Sequence, residues 1–331
     1  MEKISSPATQ RRYRADEHIR ELTAGVRLSH KAFIQPLFVD SSVEVPRYVD
    51  GLNEVRVDSI VSVIETISAD LVAGITKFIL FPVPAKKSVK NFDYSFAVAL
   101  IKNIRSHFGD RVWLAADLCL CSYTEHGHCG ILNDKRTKLL NNPTVAELAK
   151  YAALLADAGA NCIAPSDMMD RRIGAIRAQL DVLGHDDVSI MSYAAKFSSQ
   201  FYGPFRDACH SAPSAGGLKN RKTYQIDAAN LNDAVASALR DEKEGADILM
   251  VKPAALYTDV IKTLKQQTLN PIAAYHVSGE YASVEMLAEK GMADRAAVHL
   301  EVWTALVRSG ADIIISYAAR NAKQWIEEKR Y

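Results

Sequence analysis

Cys119, Cys121 and Cys129 fall within eleven residues of one another in this 331-residue chain, and His126 and His128 share their segment. Three thiolates so spaced can hold a metal ion. Sulfur ligands favour zinc over magnesium, and three protein ligands leave the fourth, open position that a catalytic zinc needs. The plainer reading is three reduced thiols packed as core, but a segment rich in Gly and His is poor core composition. The remaining two cysteines look different. Cys162 sits in an apolar run and is expected to be core, and Cys209 is given no role. An odd number of cysteines without a secretory signal favours metal or catalysis over disulfides.

Two lysines carry a second chemistry. Lys196 ends the run Met191-Ser-Tyr-Ala-Ala-Lys196, and Lys252 sits in Met250-Val-Lys-Pro253. Low-dielectric surroundings lower a lysine pKa, and a second ammonium nearby lowers it further. The neutral amine then attacks a ketone to give a Schiff base. Either lysine alone could simply snorkel or bind an anion; two at neighbouring strand ends point to imine chemistry. After Lys196 comes a long segment with Arg206, Arg221, Lys222 and Gln225, interleaved with Phe197, Phe201, Tyr202 and Phe205. It reads either as a solvated basic loop or as a lid whose guanidinium forks grip a carboxylate. Ser278 and Tyr317 offer hydroxyls to a second carboxylate.

The elements that must position these groups follow from periodicity. Apolar, β-branched runs recur at 33–39, 77–81, 112–118, 161–164, 188–193, 247–251, 271–277 and 312–316. Helical patterns lie between them, among them 55–73, 144–158, 170–183, 230–244, 257–267 and 294–309. Gly159, Gly245 and Gly310, each followed by Ala, suit the left-handed position that closes a helix. Eight strands alternating with helices predict an α/β chain folded as a (β/α)8 TIM barrel with an extended N-terminal arm. An open doubly wound sheet is the alternative, but no GxGxxG follows the first strand. Asp117, Cys119, Cys121, Ser166, Lys196, Lys252, Ser278 and Tyr317 all fall at the ends of predicted strands, the face where a barrel keeps its active site. Residues 1–30 form the polar, basic arm and 31–331 the catalytic barrel, with a lid at about 197–229. Two long connections, 119–143 and 194–230, are expected to be functional.

Charge narrows the partners. Forty basic against 39 acidic side chains leave no excess for nucleic acid or an anionic membrane. No apolar run approaches the ~18 residues that span a bilayer. The N-terminus lacks the hydrophobic core of a secretory signal, so a cytoplasmic protein is expected.

At these residues the chain resembles the porphobilinogen synthase (δ-aminolevulinic acid dehydratase) family, of the zinc-cysteine type. The likeness runs from Pro36-Leu-Phe-Val39 to Gly310-Ala-Asp-Ile-Ile-Ile-Ser-Tyr317. Its most specific segments are Cys119-Leu-Cys-Ser-Tyr-Thr-Glu-His-Gly-His-Cys-Gly-Ile131, Ala164-Pro-Ser-Asp-Met-Met-Asp170, Phe201-Tyr-Gly-Pro-Phe-Arg206, Met250-Val-Lys-Pro253 and Val277-Ser-Gly-Glu-Tyr281. The resemblance implies a lyase of tetrapyrrole (haem) synthesis that condenses two 5-aminolevulinate molecules into porphobilinogen, losing two waters. It implies Schiff bases on Lys196 and Lys252, and Zn2+ on Cys119, Cys121 and Cys129. It implies one substrate carboxylate at Arg206, Arg221 and Gln225, and the other at Ser278 and Tyr317. Asp117, Ser166, Tyr202 and Phe205 would line the pocket, and the subunits would form a homo-octamer through the arm. A Schiff-base barrel aldolase would leave the three cysteines and one lysine idle, and a non-catalytic paralogue would have lost a catalytic group; none is lost.

Three departures stand out. Ser237 occupies the position where many bacterial members carry a Glu for an allosteric Mg2+, so that site is not expected. Arg171 stands where the family usually has Gly. The lid is a few residues longer over 214–220, with Lys219-Asn220 before Arg221 in place of a typical Gly-Asp.

Overall fold

The computed structural model describes residues 10–209 and 217–328, excepting the side chains of Arg206 and Asp207. Ten strands form: β1 (Phe33–Asp40), β2 (Arg47–Val49), β3 (Leu52–Asp58), β4 (Lys77–Val83), β5 (Trp113–Leu118), β6 (Cys162–Pro165), β7 (Ser189–Lys196), β8 (Ile248–Lys252), β9 (Ile272–His276) and β10 (Ile313–Ser316). Eight of them, β1 and β4 to β10, pair in parallel with their neighbours in chain order. β10 pairs back onto β1, with Phe33 opposite Ile314, and closes the barrel. Each of these eight corresponds to one predicted run. The strands read as near-continuous apolar stretches because both faces are covered; every residue of β1 is buried.

The helices are α1 (Glu17–Thr23), α2 (Ser62–Val72), α3 (Ser95–Phe108), α4 (Asn141–Asp157), α5 (Arg172–Val182), α6 (Gly203–Ala208), α7 (Leu231–Lys243), α8 (Thr258–Lys265), α9 (Ser278–Glu289), α10 (Arg295–Ser309) and α11 (Ala322–Glu328). α3 shows why such segments coil. Ala97, Leu100, Ile101, Ile104 and Phe108 recur at three- and four-residue spacing and form its buried stripe. Gly310 caps α10 at φ 119 in the left-handed region, as its position after the helix predicts. None of the described helices is long and apolar enough to cross a membrane.

One predicted element is corrected. The helix expected over 55–73 begins only at Ser62, and β3 occupies 52–58. Leu52, Val55 and Val57 are buried in β3, with the exposed Asn53 and Glu54 between the first two. This is a β-branched strand pattern that the following apolar residues disguised as a helix. β2 and β3 form an antiparallel hairpin around Gly51, at φ 73. The hairpin lies against the C-terminal half of β1, with Phe38 opposite Val57. Ser59 and Ser62 then exchange backbone-to-hydroxyl bonds of 3.0 and 3.1 Å. Such local bonds compete with helix and fix its start.

Candidate active site

Lys196 and Lys252 are register partners at the ends of the adjacent strands β7 and β8. Their relative exposures are 6% and 3%, far below the ordinary state of lysine. The Lys252 ammonium lies 3.9 Å from the Tyr275 ring centroid, 4.7 Å from Phe205 and 5.0 Å from Tyr193. Lys196 Nζ lies 5.3 Å from the same Tyr193 ring and donates to the Ser166 carbonyl. The rings give some cation–π attraction, but they do not replace water. Burial first, and the Lys196 charge second, lower the Lys252 pKa to about 7. Burial raises Asp117 at the end of β5 to about 6, against the pull of both lysines. Its Oδ1 is buried without a hydrogen-bond partner, an acceptor with capacity to spare at the lysine end of the barrel.

The segment expected to form the lid begins directly after Lys196, the last residue of β7. Phe205, on α6, packs 5.2 Å from Phe81 and 5.6 Å from Phe38 and covers Lys252. Its backbone N–H donates to Ser278 Oγ at 3.2 Å, and that hydroxyl donates to the Phe201 carbonyl at 3.3 Å. The Tyr202 hydroxyl is shared between the carbonyls of Phe197 and Lys252, at 2.9 and 3.0 Å. It therefore ties the lid to β8. Tyr317 places its hydroxyl 3.3 Å from that of Tyr275. The predicted Arg206 side chain and lid residues 210–216 lie outside the described residues.

The cysteines meet as their spacing suggested. The sulfurs of Cys119, Cys121 and Cys129 lie within 4.8 Å of one another, the one such metal-competent group among the described residues. All three are buried free thiols. The Cys121 backbone N–H donates to Cys119 Sγ at 3.4 Å. Arg221 donates to the Gly127 carbonyl at 2.9 Å. Burial opposes its charge, yet Cys129 and Cys121 outweigh that and raise its pKa. The neighbouring Gln225 amide is buried, with neither polar atom partnered.

The two histidines stay outside the sulfur group. His128 Nε2 meets the Leu218 carbonyl at 2.8 Å, and Nδ1 meets the Tyr224 hydroxyl at 3.0 Å. A carbonyl only accepts, so Nε2 carries a proton, while Nδ1 pairs with the tyrosine hydroxyl. His128 thereby pins the lid's return segment to the cysteine loop. His126 accepts from the His128 backbone at 3.1 Å.

Some features were not read from sequence. Tyr193 and Tyr275, which flank the lysines, looked like ordinary strand aromatics. Cys209 lines a cavity of about 10 Å3 with Cys119, Cys121, Asp117 and Phe205, room for roughly one water. Cys162 is core, as expected. Arg171 adopts φ 65, the left-handed conformation that a glycine there would favour. Ser237 is buried in α7, with its hydroxyl 3.3 Å from Asp233.

Comparison with known proteins gives this geometry a context. Residues 8–325 match the family described as Delta-aminolevulinic acid dehydratase. The Bacillus subtilis (strain 168) protein of that name is 40% identical over 322 residues, covering 96% of this chain and 98% of its own. The Helicobacter pylori (strain J99) protein of that name is 39% identical over 323 residues, with the same coverage. The crystal structure of Toxoplasma gondii ME49 delta-aminolevulinic acid dehydratase (porphobilinogen synthase), in complex with its reaction product porphobilinogen, superposes with a TM-score of 0.93. It is 38% identical and covers 97% of this chain and 92% of its own. By sequence and by fold, therefore, the chain belongs to the delta-aminolevulinic acid dehydratase family.

Proposed function

We propose that this chain is a porphobilinogen synthase, a lyase of porphyrin synthesis that condenses two 5-aminolevulinate molecules and releases two waters. The observation that carries the reading is the pair of buried, register-matched lysines at the ends of β7 and β8, together with a trio of mutually close buried thiols that begins just past the end of β5. Lys252, poised near neutrality, supplies an unprotonated amine. It attacks the ketone carbon of one substrate; a C–N bond forms and water leaves as the imine forms. Lys196 does the same for the other substrate. Asp117, buried and partly protonated near neutrality, is placed to pass protons beside both amines. Phe205 and the aromatic wall keep bulk water from the imines. Arg221 and Gln225 carry buried donors suited to one carboxylate, with Arg206 expected to join them, and Ser278 and Tyr317 carry hydroxyls suited to the other.

Cys119, Cys121 and Cys129 would hold Zn2+. Three mutually close buried sulfurs, with no fourth protein ligand among the described residues, fit a catalytic rather than a structural zinc. Such an ion supplies Lewis-acid polarisation of a substrate oxygen. We further propose a homo-octamer held by the N-terminal arm.

The test is direct. Zinc-loaded protein incubated with 5-aminolevulinate should yield a pyrrole that colours with an aldehyde reagent, and borohydride should trap substrate on Lys252. Neither product from metal-replete protein would refute the assignment. A chelator should abolish turnover; a metal-independent aldolase would survive it.

A further inference from the structure

We propose that Arg172 is the positioning residue for Lys196. Arg172 opens α5 with no exposed surface, a rare setting for a guanidinium. It reaches three separate parts of the barrel. In the loop after β6, Nε lies 3.4 Å from Asp167 Oδ2, and Nη1 donates to the Met169 carbonyl at 3.1 Å. On β7, Nη2 donates to Ser192 Oγ at 3.0 Å and to the Tyr193 carbonyl at 3.3 Å. On α7, Asp241 Oδ2 lies 3.0 Å from Nη2 and also accepts from Ser192 Oγ at 2.6 Å.

These contacts surround an irregularity. β7 and β8 pair regularly up to Ser192 and again from Ala195 to Lys196, with a register shift between. A bulge bends its strand and re-aims the side chains beyond it. Arg172 holds the backbone of that stretch through the Tyr193 carbonyl. It also holds the loop containing Ser166, whose carbonyl accepts from Lys196 Nζ. One guanidinium thus fixes both the strand that carries Lys196 and the oxygen that receives it. Lys252 shares with that stretch only the Tyr193 ring, at 5.0 Å, and is fixed mainly by other means: the Tyr202 hydroxyl on its carbonyl, and the nearer rings of Tyr275 and Phe205. A brace serving stability alone would not distinguish the two lysines.

The inference rests on the imine reading above, and the experiment separates the two. Full-length wild type, Arg172→Lys and Ser192→Ala are treated with 5-aminolevulinate and borohydride, digested, and the adduct at each lysine is quantified by mass spectrometry. Arg172→Lys keeps the charge but loses the fork. Ser192→Ala keeps the arginine and removes one of its contacts, which guards against a variant that fails to fold. The Lys196 adduct should fall roughly tenfold in Arg172→Lys and less in Ser192→Ala, while the Lys252 adduct stays within about twofold of wild type. Both adducts falling together, or an unchanged Lys196 adduct in the folded variants, would overturn the assignment. If the wild type forms no adduct, the imine reading fails instead. The rate of Lys196 acetylation by acetic anhydride, which needs no substrate, then decides for Arg172: a changed rate in the variants supports positioning, and an unchanged one refutes it.

Discussion

A lysine enclosed by Tyr275, Phe205 and Tyr193 gives up its proton far more readily than one in water, and the second ammonium of Lys196 adds to the effect. Only the neutral amine is a nucleophile. Imine formation on Lys252 should therefore rise as pH passes through about 7 and level off above it. A surface lysine would still be climbing near its ordinary value of about 10.4. Initial borohydride-trapping rates at Lys252 between pH 5.5 and pH 9 would check this, and a profile still climbing at pH 9 would count against a depressed amine. At this scale the lysines and cysteines were legible because their types are rare at strand ends and their spacing has few other uses. Tyr193 and Tyr275 were not, because a tyrosine in an apolar strand looks the same whether its ring faces core or amine. Nor could sequence show that the Tyr202 hydroxyl is shared between two backbone carbonyls while its ring lies 5.6 Å from the Lys252 amine.

Elements set how closely such residues approach. Gly279 sits in the first turn of α9, where an added Cβ would lie 2.8 Å from both the α-carbon and the carbonyl oxygen of Phe201. That is backbone, and it cannot swing aside. Gly279→Ala should push the start of the lid outward and draw Phe205 off Lys252. A displacement near 1 Å typically costs up to about a hundredfold in rate. Steady-state kinetics should show that loss in kcat/KM with little change in melting temperature; unchanged kinetics would mean that the lid does not need this close seat. Arg171 gives a prediction of opposite sign. It holds φ 65 at the entrance to α5 with no capping bond from its side chain. A left-handed non-glycine residue costs roughly 1–2 kcal/mol, so Arg171→Gly should stabilise the fold by up to about 1 kcal/mol after the entropy cost of glycine. Denaturant midpoints would report it, and a lower midpoint would show that Arg171 makes an unrecognised contribution. The eight barrel strands were legible as apolar runs set off by glycine caps. The β2–β3 hairpin was hidden because Val55 and Val57 run on into the apolar stripe of α2, and periodicity alone cannot divide such a run.

At the scale of the whole molecule, the arm is the part that a single barrel does not explain. α1 is a seven-residue helix that buries none of its residues. Leu22, on its surface, is 76% exposed. Between the arm and the helices α10 and α11 runs a groove of about 850 Å3, lined in part by Leu22, Val26, Leu28, Leu300 and Ile326. A helix this short is marginal in water and draws its stability from packing, so the arm should be completed by another subunit. The barrel closes without it, since β10 pairs directly with β1 from Phe33 onward. Removing residues 1–25 should therefore leave a folded barrel with near-native circular dichroism while weakening assembly. Sedimentation velocity over a range of concentrations should show smaller, dissociating species in place of one large assembly. Lys196 and Lys252 lie at the opposite, C-terminal end of the strands from where the arm enters β1, so the loss of turnover should follow the loss of assembly and be greatest in dilute protein. A truncated chain that kept the full-length sedimentation coefficient at every concentration would show that the arm has no role in association.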